Sequence, residues 1–345
     1  MANPRIGVLL FNLGGPEKPE DVKPFLYNLF SDPDIIRIRN NAFRKAVAWL
    51  ITALRHKRSS GYYALIGGGS PLRKITDQQA AALERQLADE GFPVKVYVGM
   101  RCWNPTIDEA LTAVERDEIT HLVVLPLFPQ FSVTTTGSCI NYFNARLRQS
   151  PRASAIQASY VTRWFDEPLY IEALAGLIRA EFRNFPDPDP RAIYIVYSAH
   201  SIPKRYIDEG DPYLEHIQHT VALLNEKLGN KSQWTLSFQS KVGPVKWLEP
   251  STEQIIRTLG RRGTRQALLV PISFVSDHIE TLYEIDIQYR KEAESVGVSH
   301  FRRCAALNVN PTFIAALAAL VKEQLASLQI SSAAAVQHEQ PNLFR

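Results

Sequence analysis

Short apolar runs recur along the chain, each of strand length and each followed by polar punctuation and a segment of helical period. Ile6 to Leu13 closes on Gly14-Gly15-Pro16. Lys95 to Gly99 leads through Met100-Arg-Cys-Trp-Asn-Pro105 into a helix predicted near 106–117, and His121 to Phe131 reads as a buried strand before Thr134-Thr-Thr-Gly-Ser138 opens another helix. In the second half, Ala192 to Tyr197 ends in Ser198-Ala-His200-Ser201, and Trp234 to Gln239 runs into a loop closing on Trp247-Leu-Glu-Pro250. Leu268 to Val275 follows, where Pro271 suggests an irregular or edge strand. Residues 20–54 read as helical with a break at Ser31-Asp32-Pro33, and Ser70-Pro71 as N-cap and first residue of a helix reaching Glu90. Strands alternating with helices predict an α/β protein with parallel sheets.

The two halves share one grammar. VLLFNLGGP parallels IVYSAHSIP, VYVGMRCWNP parallels LSFQSKVGPVKWLEP, and VVLPLFPQFS parallels LLVPISFVSD. This predicts two similar domains, 1–160 and 161–304, with a joint near 150–165. A last helix, about Thr312 to Leu328 within 305–330, is expected to pack back on the first half, and 331–345 to form a loose tail.

The chemistry concentrates after Val275. Ile279, Leu282, Ile285 and Tyr289 fall at helical spacing, while Asp277, Glu280, Glu284 and Gln288 share another face. Asp277, His278 and Glu280 would then sit beyond the carboxyl end of a strand, where open α/β sheets bind ligands. Asp277 with Glu280 also fits a capping box, but an acid–His–acid cluster continued by Glu284 suits a cation, a proton relay, or both. His200, at the end of another strand, is either a turn residue or a base brought opposite Glu280 by a doubly wound sheet. The Gly67-Gly68-Gly69-Ser70 loop lacks the Gly-Lys-Ser/Thr of a P-loop; beside Arg55 and Arg58 it fits carboxylates or phosphates, or is a plain helix entry. Tyr62, Tyr63, Trp103 and Trp247 read as loop aromatics able to wall a flat apolar ligand. His216 and His219 lack nearby acids and read as a solvated helix face.

Composition narrows the class. Thirty-nine basic against 35 acidic residues give a net charge of +4, too balanced to indicate nucleic acid. Cys102, Cys139 and Cys304 lie far apart without a CxxC pair, which argues against disulfides or structural zinc and fits a reducing compartment. Met1-Ala-Asn-Pro-Arg leads straight into a strand-like run, so no signal peptide is expected, and no apolar run reaches the ~20 residues that span a bilayer. A cytoplasmic location is expected. Apolar residues around Phe43 and Trp49 fit ordinary packing or peripheral membrane contact.

Six blocks in order, Leu10-Phe-Asn-Leu-Gly-Gly-Pro16, Ile66-Gly-Gly-Gly-Ser-Pro71, Leu125-Pro-Leu-Phe-Pro-Gln130 with Thr135-Thr-Gly-Ser138, Ser198-Ala-His-Ser201, Phe238-Gln-Ser-Lys-Val-Gly-Pro244 and Ser276-Asp-His-Ile-Glu-Thr-Leu-Tyr-Glu284, resemble the ferrochelatase family over about residues 5–325. The resemblance implies two Rossmann-like domains with a porphyrin in the cleft between them, and insertion of ferrous iron into protoporphyrin IX, the terminal step of haem synthesis. It implies that His200 removes pyrrole protons and binds metal, that Glu280 faces it across the macrocycle, and that Asp277, His278 and Glu284 form a supporting polar path. Arg55, Arg58, Tyr63 and Ser70 fall where the family holds propionates, Arg58 standing where Lys is frequent, and Leu13, Arg101 and Trp247 would line the pocket. Bending a porphyrin exposes its nitrogen lone pairs, so binding a bent conformer favours metal entry. Departures include Gln288 in place of an acid, and Leu13 and Cys102 where relatives carry Met and Tyr. Val133 occupies the place of a cluster-ligating Cys and no Cys follows Cys304, so no [2Fe–2S] cluster is expected. Rival readings are the same chemistry on coproporphyrin III, cobalt or nickel chelation on a related tetrapyrrole, and a porphyrin- or haem-binding carrier without catalysis.

Overall fold

The computed structural model describes residues 4–334 except 242 and 244. Eight strands form two separate four-stranded parallel sheets with the same order. The first runs β2-β1-β3-β4, with β1 Ile6–Asn12, β2 Lys95–Met100, β3 His121–Pro126 and β4 Gln157–Tyr160. The second runs β6-β5-β7-β8, with β5 Tyr194–His200, β6 Trp234–Gln239, β7 Gln266–Pro271 and β8 His300–Arg303. Helices α1 (Val22–Ser31), α2 (Asn41–Ala64) and α3 (Leu72–Asp89) separate β1 from β2; α4 (Ile107–Arg116) and α5 (Ser138–Leu147) complete the first crossovers. Helix α6 (Pro168–Phe182) joins the sheets. In the second, α7 (Lys204–Asp208) and α8 (Tyr213–Lys227) precede β6, α9 (Thr252–Arg261) precedes β7, α10 (Arg290–Ser295) precedes β8, and α11 (Pro311–Ala334) follows it.

The internal parallel extends to individual bonds. Leu127 donates its backbone N–H to Phe11 (2.8 Å) as Ile272 does to Ser198 (3.1 Å), and Met100 donates to Pro105 (2.6 Å) as Phe238 does to Pro250 (2.9 Å). Capping boxes Thr106/Glu109 and Ser251/Gln254 open the equivalent helices α4 and α9. Counting on from Phe11 and Ser198, Leu13 and His200 occupy equivalent places. In each sheet the strand order reverses between the two central strands, β1 and β3 or β5 and β7, and a ligand crevice belongs at the carboxyl ends there.

One core serves both sheets. Val8, Leu10, Val123 and Leu125 from the first are continuous with Ile195, Tyr197, Leu268 and Val270 from the second, through α6 and α11. Helix α11 is apolar on several sides because it is enclosed, with Phe313, Leu317 and Val321 fully buried. It lies against α6 as well as against α3 and β3, and it continues through residues 331–334, which were expected to belong to a loose tail. The rest of that expected tail, 335–345, lies outside the described residues.

Several predicted boundaries move, for local reasons. Strands β3 and β7 stop at Pro126 and Pro271 instead of reaching 131 and 275, because proline brings no N–H to continue the ladder. Pro271 thus ends a central strand and does not mark an edge. Helix α2 runs through Arg55–Arg58 and the tyrosines to Ala64, so Tyr62 and Tyr63 are helical. Pro71 takes the N-cap place of α3, while Ser70 Oγ still accepts the Leu72 N–H at 3.3 Å. Strands β4 and β8, four residues each, carry too little pattern to have been predicted.

Trp164 pins the shared core: its indole N–H donates to the Pro126 carbonyl at 2.9 Å, and its ring lies against Tyr170 of α6 and Phe313 of α11. Trp164→Ala should lower the unfolding free energy by about 3–5 kcal/mol, read by urea denaturation. A loss below about 1 kcal/mol would show that this junction is not closely packed.

Candidate functional site

His200 is the last residue of β5, and its backbone is fixed on both sides: the amide donates to Ser273 Oγ at 2.8 Å and the carbonyl accepts from Tyr213 at 2.9 Å. Its Nδ1 meets the Ser201 carbonyl at 2.6 Å, so that nitrogen carries a proton and Nε2 is turned outward. Nε2 faces Glu280 Oε1 at 3.4 Å. The other oxygen of Glu280 lies 2.6 Å from Nε2 of His278, whose Nδ1 meets the Ser276 carbonyl at 3.1 Å. Phe274 packs against both imidazoles. One carboxylate therefore bridges two histidines, and 36% of the His200 side chain remains open to the cleft.

The segment carrying Glu280 departs from the predicted geometry. Glu280–Tyr289 is π-helical and only then gives way to α10. π-Helical turns are uncommon and concentrate at functional sites. Glu280, Glu284 and Gln288 form a row at intervals of four along this segment. Asp277 leaves that row. Its Oδ1 accepts from Arg303 Nη1 at 3.0 Å and Thr281 at 3.1 Å, and its Oδ2 from Asn308 at 2.9 Å. Arg303 also holds Asp286 through Nε and Nη2, at 3.0 and 2.9 Å, so it fastens the segment at two points. Asp277 anchors the segment and faces away from the polar path expected of it.

Glu284 is the second cleft carboxylate. Its Oε2 accepts from Ser240 Oγ at 2.7 Å and Gln239 Nε2 at 3.3 Å. Ser240 has a left-handed backbone, φ 65°, that brings its hydroxyl into reach. Burial and then the Glu280 charge push the Glu284 carboxyl up to about 7, against smaller opposing effects of Ser240, His200 and Gln239. Burial would depress His200 and raise Glu280, but their mutual attraction outweighs it. His200 is pushed up to about 9, and Glu280, with both His200 and His278 beside it, is held well below the usual carboxylate range.

The remaining predicted residues divide. Tyr63 is buried, and burial followed by the Glu280 charge holds its hydroxyl protonated well above the ordinary phenol range. Leu13 and Ile279 both pack against the buried cluster that holds Tyr63 and Cys102, so residues of the two units meet there. Arg55 is lowered by burial and by Arg58, with Tyr62 and Glu284 opposing, and its guanidinium lies over the Phe30 ring at 6.0 Å. Arg58 donates to Tyr62, and Tyr62 stacks on Tyr283 of the π-helical segment at 4.1 Å between centroids. Ser70 approaches residues 14–17: its amide donates to the Pro16 carbonyl at 2.6 Å, and a Cβ on Gly69 would fall 2.1 Å from the Glu17 carbonyl oxygen, so only glycine fits there. Trp247 pairs with Pro203 beside β5, and its buried indole N–H has no partner among the described residues. Arg101 is occupied elsewhere: it binds the fully buried Asp32 at 2.9 Å and Ser138 at 2.8 Å and covers Tyr142. Of the pair expected on a solvated face, His219 is exposed, but His216 is buried and accepts the Phe131 N–H at 3.1 Å through Nδ1.

Gln239, Ser240, Ser273, Tyr283 and Arg303 were missed. Gln239 and Ser240 had a signal in Phe238-Gln-Ser-Lys at a strand end, whereas Arg303 acts through a strand too short to recognise. Among the described residues no three His, Cys, Asp or Glu side chains converge as a metal cage. The cleft instead presents two imidazoles around one carboxylate with a second carboxylate alongside, an arrangement for passing protons and holding a cation briefly.

Two parallel α/β units meeting through their strand ends define the chelatase fold class. The backbone matches SirB from Bacillus subtilis with Fe3+ (TM-score 0.55, 14% identity, 94% of this chain and 97% of that one). It also matches the sirohydrochlorin chelatase SirB from Bacillus subtilis subspecies spizizenii in complex with cobalt (TM-score 0.53, 12% identity, 94% and 96%). The sequence goes further. A family model described as Ferrochelatase matches residues 5–325. Proteins named ferrochelatase from Gloeothece citriformis (49% identity, 93% of this chain and 83% of that one) and a Synechococcus species (48%, 92% of each) align over nearly the whole length. The chain belongs to the ferrochelatase family, and it is an enzyme, a metal chelatase of the lyase class.

The raised carboxyl gives a stability test. The folded chain holds the Glu284 proton to about pH 7, against an ordinary value of 4.5, so the native state binds more protons than the unfolded chain in that window. Its contribution is most favourable below pH 4.5 and declines as pH rises through about 7. Glu284→Gln removes this decline, so denaturant melts at several pH values should show the variant gaining on the parent across that interval and running parallel to it above. A difference independent of pH there would contradict the assignment.

Proposed function

We propose that this chain inserts ferrous iron into protoporphyrin IX, releasing two protons and forming protohaem, and that His200, Glu280 and Glu284 carry the proton and metal traffic. The observation that carries the proposal is the His200–Glu280 pair, 3.4 Å apart and open to the cleft, with a carboxyl held near neutrality beside it. The ordinary alternatives for a buried imidazole and carboxylate, capping or packing, leave this exposure and these three linked groups unexplained.

The chemistry follows from charge. A free-base porphyrin carries two N–H protons, and a dication replaces them, so two protons must leave as the metal–nitrogen bonds form. With the cleft empty, His200 and Glu280 neutralise each other. An arriving dication competes with the imidazolium for Glu280 and drives the proton off Nε2, freeing the lone pair to guide the metal or take a pyrrole proton. Glu284 is balanced to accept and release protons near pH 7, with Ser240 as its hydrogen-bond partner. Arg55 and Arg58 supply cations for propionates, Arg through paired N–H groups, with Ser70 and Tyr63 as nearby hydroxyl donors. Leu13 and Trp247 supply apolar contact. His278 orients Glu280, and Asp277 secures the segment that carries it.

Three buried cysteines suit a reducing compartment, and burial pushes Cys102 and Cys304 up to about 12, away from metal-binding thiolates. The same donors would serve a coproporphyrin, which differs in carrying more propionates, whereas a carrier has no use for a titrating pair opposite the macrocycle.

Anaerobic incubation with ferrous iron and either porphyrin, followed by visible absorbance, tests the reading. Turnover of protoporphyrin is expected, falling about 10²–10⁴-fold in kcat for His200→Ala and for Glu280→Gln. Turnover of coproporphyrin alone would change the substrate and keep the mechanism. Binding of both without metalation would leave a carrier.

A further inference from the structure

Helix α3 belongs to the first unit, yet one of its side chains reaches the loop of the second unit that carries His278 and Glu280. Gln79 lies two turns into the helix and is fully buried. Its Nε2 donates to Ser276 Oγ at 3.0 Å and to the Asn308 carbonyl at 2.8 Å. A carbonyl only accepts, so the amide is fixed with its nitrogen towards the second unit. Three residues earlier on the same helix, Thr76 Oγ1 accepts from Asn12 Nδ2 at 3.1 Å, and Asn12 Oδ1 accepts the Leu13 N–H at 2.8 Å. Helix α3 is thus tied to the end of β1 through Thr76, and to the segment after β7 through Gln79.

Gln79 grips the root of the charge cluster. The carbonyl of Ser276 meets Nδ1 of His278 at 3.1 Å, and Nε2 of that ring lies 2.6 Å from Glu280. Asn308 brackets the residue between them: its Oδ1 accepts the Asp277 N–H, and its Nδ2 donates to Asp277 Oδ2, both at 2.9 Å. Arg303 and Asn308 hold this loop from its own unit, whereas Gln79 holds it from the other. The amide is also an uneconomical choice for packing. Its Oε1 is buried with no partner among the described residues, which costs stability, while Ala80, Leu83 and Leu87 on the same helix enter the core as apolar side chains. Packing alone does not call for an amide here.

We infer that Gln79 is a positioning residue for metalation: it fixes how far Glu280 stands from the porphyrin seat on the first unit. This rests on the proposed reading of the cleft. Ser70, at the entry of α3, belongs to that seat, and Gln79 holds the opposite wall from the same rigid helix. Proton and metal transfer between the wall and a seated macrocycle depends steeply on that separation, and a displacement of about 1 Å is enough to cost about 10²-fold in rate.

Steady-state metalation by the full chain tests it, with ferrous iron and whichever porphyrin the parent turns over. Gln79→Met keeps the length and volume of the side chain and removes both donated bonds. It should lower kcat about 10–100-fold and leave the porphyrin KM within about twofold, because the seat itself is untouched. Ser276→Ala removes one of the two bonds and should lower kcat about threefold at parental KM. The double variant should be no slower than Gln79→Met, since both changes break one contact. Circular dichroism and urea midpoints establish that each variant is folded. Parental kcat in folded Gln79→Met overturns the inference, as does a double variant whose loss is the product of the two single losses. Should Gln79→Met not fold, Ser276→Ala decides alone: parental kcat overturns the inference, and a lower kcat at parental KM sustains it. A parent that metalates neither porphyrin defeats the reading of the cleft and this inference with it, whereas an active parent matched by its variants defeats the inference alone.

Discussion

A carboxylate withdrawn from water must be matched by charge and hydrogen bonds, and Glu280 meets this requirement with two imidazoles that come from different strands. His200 ends β5, while His278 and Glu280 follow β7. These strands are neighbours, paired through Ser198 and Pro271, so their register fixes where the imidazole meets the carboxylate. A slip of one residue would turn His200 to the opposite face of the sheet. Arg303, at the end of β8, then fixes the π-helical segment by gripping Asp277 before it and Asp286 within it. Three adjacent parallel strands thus deliver the three parts of one charge cluster to the carboxyl edge of the sheet.

The repeated architecture sets this cluster against a different surface. Leu13 stands in the first sheet where His200 stands in the second. By the same alignment, Arg101 corresponds to Gln239 and Cys102 to Ser240. In the first sheet that trio is apolar or satisfied internally: Arg101 is bound to Asp32 and Ser138, and Cys102 is buried beside Leu13. In the second it is polar and titratable, Gln239 and Ser240 both reaching Glu284. Two like units with opposite side chains at these positions give an apolar wall and an ionisable wall. On the proposed reading, a flat molecule with reactive N–H groups at its centre uses both, one side to seat it and one to exchange protons. The shared core then matters to function on the proposed reading, because α11 packs on the first sheet, α6 on the second, and the two helices pack on each other, which holds the two walls in a fixed relation.

Much of this was legible in the sequence because it depends on short-range chemistry. Strands β1, β2, β5 and β6 were readable as apolar runs with clear punctuation, and β6 agrees at both ends. His200 and Glu280 were recognisable because each follows a strand and the strand order brings them together. What escaped depended on partners remote in sequence. Asp277 looked like a cleft residue by spacing, but Arg303 and Asn308, 26 and 31 positions away, take it. Arg101 looked available until Asp32 and Ser138 claimed it. The π-helical turn was invisible because its apolar positions also satisfy an α-helical period over two turns. Packing and surface exposure were both open for Phe43 and Trp49, and only the folded chain reveals that these side chains face out.

The electrostatics redistribute the roles that residue type alone suggests. Histidine is the usual base near neutrality, yet here the attraction of Glu280 and Glu284 pushes His200 up to about 9, so in the empty cleft it is already charged. Glutamate is ordinarily an anion, yet burial beside Glu280 brings Glu284 to about 7. On the proposed reading, a base that is protonated until a cation arrives does not strip the macrocycle prematurely; the approaching metal itself creates the free lone pair. A carboxyl poised at neutrality can then take protons as they are displaced and return them to solvent without a large free-energy step in either direction. On the proposed reading, proton release and metal entry are therefore coupled by charge alone. The coupling needs Glu280 to be shared between two imidazoles, because a lone carboxylate at this burial would itself be protonated and would neither hold His200 charged nor attract the metal.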